Sequence, residues 1–186
     1  KSVKERPDSP VARYGLALAL TRADRHDEAI AIGDAIFSTD PNRVLPLASY
    51  AELLIEADAQ PQAQALLERG LSVNPNNTTL NRLYAESLIR ARDYARAQAV
   101  LQRQTRIDSQ DIDVWYELAE VSGQAGDIIN VHRARAEFFA LRGGYERAIQ
   151  HLEYARRLVD TRDRPLLARL DQRLDDFRTA LREARS

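Results

Sequence analysis

The chain has no cysteine, so disulfides, thiolate nucleophiles and thiolate metal sites are excluded. It lacks an excess of charge of either sign, with a formal net charge of −1, so no global field would draw it onto nucleic acid or an anionic membrane. Lysine is nearly absent: Lys1 and Lys4 are the only two, and the remaining positive charge is arginine. This reads as a coding bias with no binding implied. No apolar run approaches the ~20 residues that span a bilayer, so no direct membrane insertion is expected. There is neither a signal peptide nor an initiator methionine, and the expectation is a processed chain or an excised fragment. What remains is a chain of 186 residues, 44% hydrophobic and 30% charged, which suits one core or a short repeat array.

A repeat is present. Ala29, Ala63 and Ala97 recur at a 34-residue interval, as do Ala17, Ala51, Ala85 and Ala119, and Pro41, Pro75 and Ser109. In that frame "DEAIAIGDAIFSTDP", "PQAQALLERGLSVNP" and "ARAQAVLQRQTRIDS" align, each with apolar residues at helical spacing and each preceded by a second such helix. Pro46 and Pro61 suit first helical turns, Asp93 and Asp127 suit N-caps, and Gly126 and the Gly143–Gly144 pair suit left-handed helix ends. No stretch sustains a period of two. The pattern predicts an all-α solenoid of about ten antiparallel helices.

The expected hairpins are about 10–41, 44–75, 78–109 and 112–142, followed by helix 145–159 and a terminal helix over 163–184, with 1–9 as a linker tail. The next alanine in the second-helix slot after Ala97 is Ala148, one and a half repeats on. Helix 129–142 therefore completes the fourth hairpin and also opens the next, with Ala136 and Phe139 in the small and aromatic slots, a half-repeat frame shift. The terminal helix carries Leu166, Leu170, Leu174, Phe177 and Leu181 on one face. It is either a cap over the last apolar face or a docking face for another domain.

These features resemble the tetratricopeptide repeat, most closely in "DVWYELAEVSGQAGD" with Trp115, Leu118, Ala119 and Gly126 in the motif positions. Trp115, Tyr94 and Tyr145 occupy bulky packing slots, and truncating Trp115 in a core would cost ~3–5 kcal/mol.

A glutamate ladder runs through the same frame: Glu52, Glu86 and Glu120, with Glu137 in the equivalent slot of the shared helix. By the resemblance these line a concave face, where Arg82, Glu86 and Arg90 stack at i, i+4. Tyr14 and Tyr116 occupy a neighbouring slot that Arg133 also matches. Two readings stand: a solvated face held by intrahelix ion pairs, or a mixed-charge groove that grips a partner segment. Domains of this family that clamp chaperone carboxylates use Lys and Asn here. Tyr14, Leu18 and Glu52 stand in those slots, so that chemistry is absent.

No catalytic, cofactor or metal residue is expected. His26, His132 and His151 form no HExxH and no i, i+4 pair, and no Ser/His/Asp set can be drawn from spacing. Gly143–Gly144 reads as a helix terminus, not a phosphate loop.

Residues 114–158 are more specific. Trp115, Leu118 and Ala119, then "RAEFFALRG" from Arg135 to Gly143, then "AIQHL" from Ala148 to Leu152, resemble the C-terminal repeat region of the β-barrel assembly-enhancing protease (BepA) family. The resemblance implies a periplasmic chain preceded by an HExxH zinc metalloprotease domain, with zinc held there and not here. It implies partners in that protease domain, in the β-barrel assembly machinery and in its outer-membrane protein substrates, in a quality-control role. None of the protease's catalytic residues lies in this chain, so the chain alone is not an enzyme. The alternative is a stand-alone scaffold for an unrelated protein complex. Nucleic acid is not expected as a partner.

Overall fold

The computed structural model describes residues 9–38 and 44–185. Residues 1–8 of the expected 1–9 tail, and Pro41, lie outside them. Among the described residues there are ten α-helices and no strand. The chain divides into two compact units, 1–93 and 94–186.

The first unit holds α1 (Pro10–Arg22), α2 (His26–Phe37), α3 (Val44–Glu56), α4 (Gln60–Val73) and α5 (Thr78–Arg90). Two of its helices, α1 and α5, start where a side chain satisfies a free N–H group. Ser9 accepts from the amide of Ala12, and Asn77 accepts from that of Leu80. Pro61 stands in the first turn of α4, where no N–H is needed. The repeat alanines explain the packing. Ala17, Ala29, Ala51, Ala63 and Ala85 are all fully buried, which lets neighbouring helices approach closely. Leu53, Leu54, Ile55, Leu67, Leu80, Leu83 and Leu88 fill the space between them, each contributing about 1.5–3 kcal/mol. Gly33 goes further than alanine could: a Cβ there would lie 2.6 Å from the side chains of Leu53 and Tyr50.

The second unit holds α6 (Tyr94–Ile107), α7 (Ile112–Gln124), α8 (Ile128–Leu141), α9 (Tyr145–Leu158) and α10 (Arg164–Arg185). α10 has 22 residues, about 33 Å of helix. Its Leu170, Leu174 and Phe177 are each 3% exposed in a core shared with Ala148, Leu152 and Ala155 of α9. Three arginine–carboxylate pairs flank that seam: Arg156 with Asp171, Arg178 with Glu153, and Arg185 with Glu146. The apolar face of α10 is thus spent on capping α9.

The frame shift is visible in the backbone. Asp24, Asp58, Arg92 and Gly126 all have positive φ, and they are spaced by 34; Gly143 follows after 17, half that interval. At each site the next residue's N–H closes a six-residue C-terminal loop, as in Arg25 to the Leu20 carbonyl and Gly144 to that of Phe139, at 2.9 and 2.8 Å. So α8 is entered like a second helix and left like a first. Its buried residues match this double role. At ~100° per residue, Val131 and Ala134 lie on one side, with Val131 against Gly123 of α7. Ala136 and Ala140 lie on the other, in the core with α9 and α10. One expectation is corrected: Gly144 has φ −84 and serves as the N-cap of α9, so only Gly143 of that pair is left-handed.

Candidate protein-docking surfaces

In the first unit, α1, α3 and α5 present Tyr14, Glu52, Arg82, Glu86 and Arg90. The Tyr14 hydroxyl donates to Glu52 Oε2 at 3.2 Å. Burial, together with the charge and the acceptor oxygen of Glu52, pushes the phenol up to about 12. Arg90 Nη2 reaches Glu56 Oε1 at 2.7 Å and Glu86 Oε1 at 3.1 Å, joining α3 to α5. The i, i+4 pairing expected at Glu86 and Arg90 is therefore present, with Glu56 as an added partner on the neighbouring helix. Arg82 is exposed.

In the second unit, Tyr116 is 54% exposed and packs on Phe138 with ring centroids 5.6 Å apart. The Arg142 guanidinium covers the Phe138 ring at 5.2 Å. Glu120 Oε1 accepts from Arg135 at 3.4 Å. Glu86 is thus held by a partner on its own helix, and Glu52 and Glu120 by partners on neighbouring helices, which the i, i+4 rule alone does not foresee.

A cleft of about 430 Å³ opens among α6, α7, α8, α9 and α10. Glu137 and Arg133 of α8 project into it, one turn apart, and α10 contributes Arg169 and Arg173. Arg173 grips Glu137 with both ends of its fork, at 2.8 and 2.6 Å. The Glu137 side chain is only 18% exposed. Arg133 has no such partner: its Nη1 donates to the Asn130 amide oxygen at 2.6 Å. Its guanidinium is held below the ordinary arginine value, chiefly by burial and next by the charge of Arg169, against the opposite pull of Asp127 and Glu137. Arg106 lines the same cleft.

Trp115 also lines it, and here an expectation is corrected. The indole is half-buried rather than enclosed, and its N–H donates to the Ser109 carbonyl at 2.9 Å, which fixes the ring at the cleft wall. Arg106, Arg169 and Arg173 were not foreseen as site residues. The i, i+4 spacing of Arg169 and Arg173 on one helix was their only signal in the sequence.

Two of the three histidines are also brought together. His132 of α8 and His151 of α9 approach Nδ1 to Nδ1 at 3.0 Å, flanked by Phe139 stacked on His151 and by Tyr154. Burial lowers both pKa values, and His151 is lowered further by the charges of His132 and Arg135. Among the described residues no three His, Cys, Asp or Glu side chains gather as a metal site, and no helix is long and apolar enough to cross a membrane.

A tetratricopeptide-repeat family model matches residues 20–87 and 54–121, together more than half of the chain. No curated protein matches it. Among solved structures, the MamA RS-1 ArsTM double mutant superposes with TM-score 0.60 at 16% identity, covering 93% of this chain and 96% of its own. MamA 41-end from Desulfovibrio magneticus RS-1 gives TM-score 0.59 at 16% identity, covering 93% and 97%. TTC0263, a thermophilic TPR protein in Thermus thermophilus, gives 0.52 at 13% identity, covering 91% and 98%. These likenesses show the fold, an all-helical tetratricopeptide-repeat solenoid.

Proposed function

Because the chain belongs to the tetratricopeptide-repeat family, we propose that it works as a protein-docking module and performs no chemistry itself. The observation that carries this is the open cleft of the second unit, lined by arginines and by Trp115. Its walls come from several rigid helices, the arrangement that holds a binding constellation in place. Exposed Tyr116, packed on half-buried Phe138, adds aromatic area of the kind that anchors protein interfaces.

The finer reading is the docking region of a periplasmic zinc metalloprotease that acts in outer-membrane protein assembly and quality control. It is supported by the likeness of residues 114–158 to the β-barrel assembly-enhancing protease family and by the half-repeat shift within that stretch. Its partners would be the protease domain of the same polypeptide and the β-barrel assembly machinery or its substrates. The zinc would be held outside this sequence. The alternative is a stand-alone scaffold, which the structural likeness to MamA and TTC0263 suits equally.

Capture of the native polypeptide from cells, followed by intact mass and zinc content, tests the finer reading. A much larger chain carrying about one zinc supports it; a zinc-free chain of this size leaves the scaffold. In-cell photo-crosslinking from Tyr116 tests docking itself, which fails if no protein is attached.

A further inference from the structure

We infer that the second-unit cleft takes up an acidic segment of a partner protein in which a carboxylate lies beside an apolar side chain. This rests on the docking reading and names the chemistry of what docks.

The charge does not balance. Four arginines line the cleft and Glu137 is the one carboxylate among its lining residues. Arg173 consumes that carboxylate through a two-pronged contact. Arg106, Arg133 and Arg169 have no ion pair among the described residues. A half-buried guanidinium whose one hydrogen-bond partner is a neutral amide retains unused donors in a fixed fork, a geometry suited to carboxylate. The excess is local, because the chain as a whole carries −1.

The apolar residues decide between anions. Trp115 stands half-buried at the cleft wall, beside Leu118, Leu152 and Leu170, which are already covered at 2–3% exposure. Inorganic phosphate would use the arginines and leave the indole uncovered. A polynucleotide needs a track of cations along its backbone, whereas these are confined to one recess of about 430 Å³. A glutamate or aspartate next to a leucine or phenylalanine uses both parts. The recognition differs from the Lys/Asn clamp of chaperone-binding domains, since it is built from guanidinium groups of α6, α8 and α10.

Trp115 is the only tryptophan, so its emission reports on this cleft alone. The experiment titrates the full chain with a blocked hexapeptide alternating glutamate with leucine, with its glutamine counterpart, and with inorganic phosphate. A saturable change with the glutamate peptide is expected, weakened roughly tenfold or more by Arg133→Gln with Arg169→Gln and by added salt. Arg169→Gln alone, at an exposed position, guards against misfolding of the double variant. The inference is overturned if the glutamate peptide gives no saturable change, if the glutamine peptide binds equally, or if phosphate binds as tightly as the peptide. Crosslinked partners retained undiminished by the double variant also overturn it, while leaving the docking reading in place.

Discussion

His132 Nδ1 and His151 Nδ1 lie 3.0 Å apart across α8 and α9. One ring must donate and the other accept, so the contact exists only while at least one ring is neutral. Burial, the mutual charge and Arg135 all disfavour protonation, while Phe139 and Tyr154 supply no counter-charge. Both folded pKa values lie below the unfolded value of about 6.5. The unfolded chain therefore binds more protons between the two values, and stability falls as pH drops below about 6.5. Urea unfolding across that range checks this. His151→Phe should flatten the fall relative to the parent chain; an identical slope would remove the pair from the account.

The left-handed helix ends differ in how well they are filled. Arg92 has φ 59, whereas Gly126 and Gly143 meet the same demand without a Cβ. Arg92→Gly is expected to stabilise by about 0.5–1 kcal/mol, since the relief of strain exceeds the added chain entropy of glycine. Gly143→Ala should destabilise by about 1–2 kcal/mol. Shifts of the urea midpoint in opposite directions would confirm both signs.

Removing Glu137 and removing Arg133 should have unlike effects. Glu137→Ala deprives Arg173 of its bidentate partner and adds to the repulsion in the cleft. A cost of about 1–3 kcal/mol follows, between the ranges for exposed and buried pairs, because the Arg173 side chain is 43% exposed. Arg133→Met discards a half-buried cation with no carboxylate partner and should lie within about 0.5 kcal/mol of the parent. Thermal unfolding of the two variants side by side makes the comparison; equal losses would contradict the charge imbalance.

Trp115 and Leu53 provide a packing contrast. Leu53 is 0% exposed, and Leu53→Ala should cost about 2–5 kcal/mol. Trp115→Ala removes a half-buried ring and one hydrogen bond to Ser109, for about 1–3 kcal/mol. Denaturant midpoints would give the order. A larger loss at Trp115 would return it to the core.

The sequence by itself determined the helices, their number and the half-repeat step. Alanine recurring at 34 residues and then at 51 marks where helices must approach closely, and an α-helix reads its own apolar period locally. The fully buried Ala17, Ala51, Ala85, Ala97 and Ala148 are the outcome. It also placed Glu86 and Arg90 together, because i, i+4 neighbours on one helix need no tertiary information. Only the tertiary structure decided which side chains meet between helices. Glu137 and Arg173 are 36 residues apart, and His132 and His151 are 19 apart; each pair lies on two different helices, so no spacing within one helix joins them. Their meeting depends on the angle at which α8, α9 and α10 pack. Trp115 ended at a cleft wall rather than in a core for the same reason: a bulky residue fits a packing slot only if the neighbouring helices close over it, and here they leave it half open.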